Sequence, residues 1–182
     1  MNQEMINALL KNYGGLLARI DAHIKQVQTT YSNEIACKKG CDDCCRFLNL
    51  FPVEAFALSA AFCQMDKSDR DRIIKGLEKG TDGCPLLIKG QCLLYEARPI
   101  ICRTHGYPLY FEKDGKTLVD FCPKSFKGIS CFPKESLFDL EQLNTLLAAI
   151  NKQFIESIET DVPLADRIPI SDALGLLDET DN

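Results

Sequence analysis

Four of the ten cysteines in this 182-residue chain fall within nine residues, CKKGCDDCC, positions 37 to 45. Cys37, Cys41 and Cys44 are spaced four and three apart, and Cys45 follows directly. Four further thiols, Cys84, Cys92, Cys102 and Cys122, each fall in a predicted loop or beside a predicted turn. Thiols carried on turns of separate segments can converge on one ion. Soft sulfur donors suit zinc and iron–sulfur clusters, and each such site takes four of them, so eight thiols make two full sets. Neighbouring side chains diverge, so vicinal Cys44 and Cys45 can serve two adjacent metals, or one can ligate while the other packs. The spacing lets Cys37, Cys41 and Cys44 face one point, and Cys45 is expected to differ from them. Cys63 lies instead on an apolar stripe of a predicted helix, the setting of a small buried hydrophobe. Cys131, in a short loop, is assigned no role.

Other thiol chemistries fit the surroundings less well. Residues 37–44 have the C-x3-C-x2-C spacing of radical S-adenosylmethionine enzymes, but Asp43 stands where those enzymes place an aromatic residue. The chain also lacks the series of strand–helix units that their partial barrel needs. A thiol oxidoreductase built on Cys41-x-x-Cys44 calls for a βαβ setting that is not there. A cysteine hydrolase needs a histidine partner, and the two histidines are His23, on an N-terminal helix, and His105. His105 follows Cys102 by three residues and is a candidate ligand or hydrogen-bonding support for one.

The elements that must carry these thiols are legible from periodicity. Apolar residues recur at helical spacing over 3–31, interrupted by Gly14–Gly15, which can kink or split the helix. Pro52 suits the first turn of a helix running through VEAFALSAAFCQM. Asp66 or Ser68 can cap another helix, which ends at Gly80. CPLLIKGQCLLY reads as a small hairpin turning at Lys89–Gly90, and YPLYFEKDGKTLVDF as a clearer one turning at Asp114–Gly115. Residues 136–158 form a strongly amphipathic helix, and an acidic, proline-broken tail follows from Asp161 with a helical turn or two. The predicted fold is α+β and mostly helical, with helices packed around a cysteine-rich loop and small β-hairpins. Residues 1–160 are read as one domain with its motif core at 36–124, and 161–182 as a docked tail.

Composition excludes several functions. Apolar residues make up 46% of the chain and charged residues 26%, enough for a core that needs no disulfides. The net charge of −5 comes with no basic block, so nucleic acid is not an expected partner. No apolar run reaches the roughly 18–20 residues that span a bilayer, and the N-terminus lacks the pattern of a signal peptide. The expected compartment is cytoplasmic, where thiols stay reduced and serve as ligands or catalysts more often than as disulfides. A disulfide-stapled interaction module is disfavoured on the same ground. No protein partner can be named.

The order Cys37-x3-Cys41-x2-Cys44-Cys45, Cys84-Pro85, Cys92-x2-Tyr95-x2-Arg98-Pro99-x2-Cys102-Arg103 and Cys122-Pro123 resembles the YkgJ-type cysteine-cluster family over about half the chain. The resemblance implies a domain that chelates zinc or iron. The same domain is similar to part of the flagellin lysine N-methylases, which the family links to an iron–sulfur centre and methyl transfer. That implies an alternative function, a protein-modifying methyltransferase using the cysteine-ligated metal. No Gly-rich nucleotide loop such as GxGxxG accompanies it. Within YEARPIICR, Pro99 fits the start of a short helix that brings Cys102 inward. Arg98 and Arg103 can donate to thiolates or carbonyls and offset thiolate charge, or pair with acids at the surface. Tyr95 is expected to pack under the hairpin.

Overall fold

Apolar residues at helical spacing form α1 (Gln3–Leu9) and α2 (Lys11–Thr30). The computed structural model describes residues 3–38, 40–78, 83–158 and 163–177. The predicted interruption lies at Leu10 rather than at the glycine pair. Hydrogen bonds run through it, from Leu10 N–H to the Ile6 carbonyl at 3.0 Å and from Gly14 N–H to the Leu10 carbonyl at 2.9 Å. Gly14 and Gly15 sit inside α2 with open space where a Cβ would point, so nothing there forces a kink.

Pro52 opens α3 (Pro52–Cys63), where a missing N–H costs least. Nearly the whole circumference of α3 is buried, including Val53, Ala55, Leu58 and Ser59. α4 (Lys67–Glu78) starts after Asp66, whose carbonyl accepts from the Asp69 and Arg70 N–H groups, and it buries Ile73. Its predicted end at Gly80 lies outside the described residues. α5 (Ile100–Thr104) follows Pro99, and α6 (Leu140–Ser157) follows Asp139, whose Oδ1 accepts from Gln142 N–H at 2.9 Å. α6 therefore starts later than the predicted residue 136. Residues 134–136 wind into a short 3₁₀ turn, and Phe138–Asp139 pair as a strand.

The strands are short: β1 (Asn49–Leu50), β2 (Leu87–Ile88), β3 (Gln91–Cys92), β4 (Leu109–Lys113), β5 (Lys116–Asp120), β6 (Phe138–Asp139) and β7 (Ile168–Pro169). Both predicted hairpins form. β2 and β3 turn at Lys89–Gly90 (φ 52° and 76°), and β4 and β5 turn at Asp114–Gly115 (φ 53° and 71°). Two positive φ values in succession define a type I′ turn, which glycine and aspartate tolerate best. Lys89 is the residue outside that preference. Two pairings carry no local signal: β6 lies parallel to β4, and β7 lies antiparallel to β1.

Two apolar clusters hold these pieces. One joins α2, α3 and α6 through Tyr13, Ile20, Phe56, Leu147 and Phe154, and takes in Ile100 of α5 and Phe126. The other gathers Leu58, Ile73, Leu86, Ile168 and Leu174, with Cys84 and Cys92 packed at its edge. The fold is mostly helical α+β. No helix among the described residues is long and apolar enough to cross a membrane.

Candidate metal centre

The described residues of 35–46 hold no helix and little buried surface, so other segments must fix them. At one end, Ala36 N–H donates to Ser125 Oγ at 3.0 Å and Phe126 N–H to the Glu34 carbonyl at 2.6 Å. Ser125 N–H in turn donates to the Cys122 carbonyl at 2.9 Å, so Cys122 belongs to the turn that clamps the loop. Gly106 (φ +97°) lies between the two. A Cβ there would meet Cys37 Cβ at 3.4 Å, Cys122 Cβ at 3.5 Å and Cys37 Sγ at 3.5 Å. The left-handed backbone favours glycine there, and a Cβ would sit in van der Waals contact with both cysteines.

Within the loop, two turns aim the thiols: Cys41 N–H donates to the Lys38 carbonyl at 3.0 Å and Cys45 N–H to the Asp42 carbonyl at 2.9 Å. At the other end, Arg46 forms an antiparallel β-bridge with Gly83, which brings Cys45 beside Cys84. Cys92 of β3 faces Leu87 of β2, whose N–H donates to the Cys84 carbonyl at 3.1 Å. Cys102 sits on α5, with its N–H bonded to the Pro99 carbonyl at 3.0 Å.

The thiols border two adjoining cavities. Cys37, Cys41, Cys44, Cys45, Cys84, Cys92 and Cys102 line one of about 210 Å³. Cys37, Cys41, Cys44 and Cys122 line another of about 360 Å³. His105 borders both, and its carbonyl lies 3.9 Å from Cys37 Sγ. Cys63 and Cys131 border neither. Cys63 is half-buried on α3 and donates to the Leu177 carbonyl at 2.8 Å, while Cys131 is exposed. None of the ten cysteines is paired in a disulfide.

The sulfurs are neighbours, but they are not at ligand spacing. Among the described residues, no three Cys, His, Asp or Glu side chains meet as an ion would require. Tetrahedral zinc holds its sulfurs ~3.8 Å apart, so the expected convergence to within about 4 Å is not present in this conformation. Protonated thiols gain little by approaching one another, whereas a change of χ1 rotamer moves a sulfur by about 3 Å. The donor set fits the group all the same. Eight soft donors border adjoining cavities, and the glycine between Cys37 and Cys122 occupies a place that a Cβ would fill.

Electrostatics oppose bare thiolates here. Burial, with the charges of Cys44 and Cys84 adding to it, pushes the Cys45 thiol up to about 11. Burial, with Cys84 and Cys92 adding, pushes Cys102 up to about 12. Cys37, Cys44 and Cys84 are also raised, chiefly by burial. The Arg98 guanidinium works the other way on Cys37, Cys44 and Cys102. It lies 3.5 Å above the Tyr95 ring and donates from Nε to the Tyr95 carbonyl at 2.7 Å, so its position is fixed. Tyr95 thus supports the arginine at the cavity wall.

Arg103 does a different job. Only 7% exposed, it grips both Asp21 carboxylate oxygens at 2.8 and 2.9 Å and donates to the Arg98 carbonyl at 2.7 Å and to the Glu96 carbonyl. It ties α5 to α2 and holds the backbone of Arg98. Sequence reasoning missed its partner Asp21, and it missed Glu54. The Glu54 carboxylate, 5% exposed, accepts from Ile100 N–H at 3.0 Å and Phe51 N–H at 3.4 Å, so it anchors the first residue of the helix that carries Cys102. Burial raises its pKa, and those two N–H groups hold part of the rise back. The available signal was a lone acid inside the apolar run PVEAFALSAA.

No curated protein and no solved structure matches the chain. A family model does match, and its name, CxxCxxCC, writes the loop with two residues where this chain has three between Cys37 and Cys41. Residues 36–123 match the model of that cysteine-cluster family, described as a "Putative zinc- or iron-chelating domain".

Proposed function

We propose that this protein binds zinc or an iron–sulfur cluster through the thiolates of Cys37, Cys41, Cys44, Cys45, Cys84, Cys92, Cys102 and Cys122. One observation carries the reading: cysteines from four separated stretches of chain border two adjoining cavities, while the remaining two cysteines stay outside. Packing alone gives no reason to gather eight polarizable thiols at loops. A metal does, because metal–sulfur bonds replace the thiol protons and fasten the loops to the cores. Arg98, fixed at the wall, offsets part of the resulting negative charge.

The test is metal analysis of protein purified without oxygen, with an absorption spectrum alongside. An iron–sulfur centre absorbs broadly near roughly 400 nm and bleaches on reduction, whereas zinc is silent. Zinc or iron should co-purify or be taken up by the reduced, metal-free chain, and serine at Cys41 or Cys84 should lower the amount bound. A folded, fully reduced protein that takes up neither metal would overturn the proposal.

A further inference from the structure

We infer that the eight thiols form two separate four-sulfur sites, one from Cys37, Cys41, Cys44 and Cys122 and one from Cys45, Cys84, Cys92 and Cys102, divided at the Cys44–Cys45 peptide bond. The inference rests on the chelation reading above and adds to it the number of sites and their membership.

One cavity singles out the first set. The thiols bordering the 360 Å³ cavity are Cys37, Cys41, Cys44 and Cys122, a complete tetrahedral set. The other four do not reach it and border the 210 Å³ cavity, which Cys37, Cys41 and Cys44 also line from the shared side. Different contacts assemble each group. The clamp at Ser125 and the close approach at Gly106 bring Cys122 to Cys37. The Arg46–Gly83 bridge brings Cys84 to Cys45, and the β2–β3 hairpin adds Cys92.

Electrostatic neighbourhood follows the same line. The thiols that weigh on Cys102 are Cys84, Cys92 and Cys45, and those that weigh on Cys37 are Cys44, Cys41 and Cys122. Cys45 sits at the border, since it feels Cys44 and Cys41 as well as Cys84. Its backbone assigns it to the second set, because it leads directly into the bridge with Gly83. Cys44 lies within the turn closed by the Asp42 carbonyl and Cys45 at the entry to the bridge, so the vicinal pair suits two sites better than one. A divalent ion in four thiolates leaves two negative charges per site. Arg46 borders both cavities and Arg98 the second set's, so cations stand where that charge would build up.

The test uses cobalt(II) added to the reduced, metal-free full chain, because four-thiolate cobalt has distinctive visible and charge-transfer absorption. The chain should take up two ions. Cys122→Ser and Cys102→Ser should each bind one, with the four-sulfur spectrum intact at half its intensity, and the double variant none. A single ion bound by the unaltered chain would overturn the division. So would loss of both ions from either single variant with its helical circular dichroism unchanged.

A second measurement avoids variants and any folding defect they bring. Zinc-loaded protein is partly stripped with a chelator, alkylated with N-ethylmaleimide, and read by native mass spectrometry and peptide mapping. In the one-zinc species the protected cysteines should all come from one set. Protection of a mixture drawn from both sets would overturn the division. If the reduced chain takes up neither cobalt nor zinc, and no iron on anaerobic reconstitution, the chelation reading itself falls, and this result is distinct from the others.

Discussion

His23 packs its ring against Phe138, with centroids 4.3 Å apart, and its Nε2 is buried without a hydrogen-bond partner. Burial lowers its pKa below that of a free imidazole, with a hydrogen bond donated to the Ser136 backbone pulling the other way. The unfolded chain therefore holds the proton more readily than the folded one. The stability tied to this group is present above an unfolded pKa of about 6.5 and is lost as pH falls toward the lower folded value. His23 borders a surface cavity that Arg19, Lys134 and Asp139 also line. The urea midpoint of metal-free, reduced protein should fall between pH ~7.5 and ~5.5, and His23→Phe should flatten that fall. A variant with the wild-type slope would show that other groups carry it. Residues of this kind show how far sequence reaches at this scale. The types and order of the eight loop cysteines were legible, because metal chemistry demands thiols. Which way each side chain turns was not. Arg103 stands next to Cys102 in sequence yet faces Asp21 on α2, a partner 82 residues away.

Glu54 links two elements, and its removal should be felt at both. Alanine at this position leaves the Phe51 and Ile100 N–H groups without an acceptor, at about 1–3 kcal/mol for each buried donor orphaned. Denaturation of metal-free Glu54→Ala should show a loss of at least ~2 kcal/mol, with Glu54→Gln, which keeps one acceptor, losing less. Equal loss in the two variants would argue that packing, and not the bonds to α5, is what Glu54 supplies. The elements themselves divide by locality. The hairpins at Lys89–Gly90 and Asp114–Gly115 were legible because turn chemistry is written in adjacent residues. So was α3, which Pro52 marks. The β1–β7 and β4–β6 pairings were not, since each joins two-residue strands whose partner is set by the packed cores. Helix bounds moved for similar reasons: Phe138–Asp139 are drawn into a strand beside β4, which postpones α6.

At the scale of the molecule, the cysteine-bearing loops and the helical cores differ in what holds them. α6 packs Leu147 and Phe154 into a core where the Phe56 and Phe154 rings lie 5.1 Å apart. The cysteine loops rest on single hydrogen bonds, one β-bridge and a two-residue hairpin. Removing bound metal should therefore speed hydrogen exchange over residues 36–124 far more than over α6. Equal protection with and without chelator would show that the loops are held by packing alone.

The antiparallel pairing of β1 with β7 also has a consequence for how the protein is made. Leu50 follows the cysteine loop closely and pairs with Ile168, and the next bond, from Ile170 N–H to the Leu48 carbonyl at 2.9 Å, continues the seam. On a ribosome adding ~5–20 residues per second, that seam stays open for on the order of ten seconds after Cys45 has been added. During this interval Cys37, Cys41, Cys44 and Cys45 come first, while Cys84, Cys92, Cys102 and Cys122 are still being added one by one. The nascent chain thus passes through a stage that offers an incomplete set of sulfurs to the metals and oxidants around it.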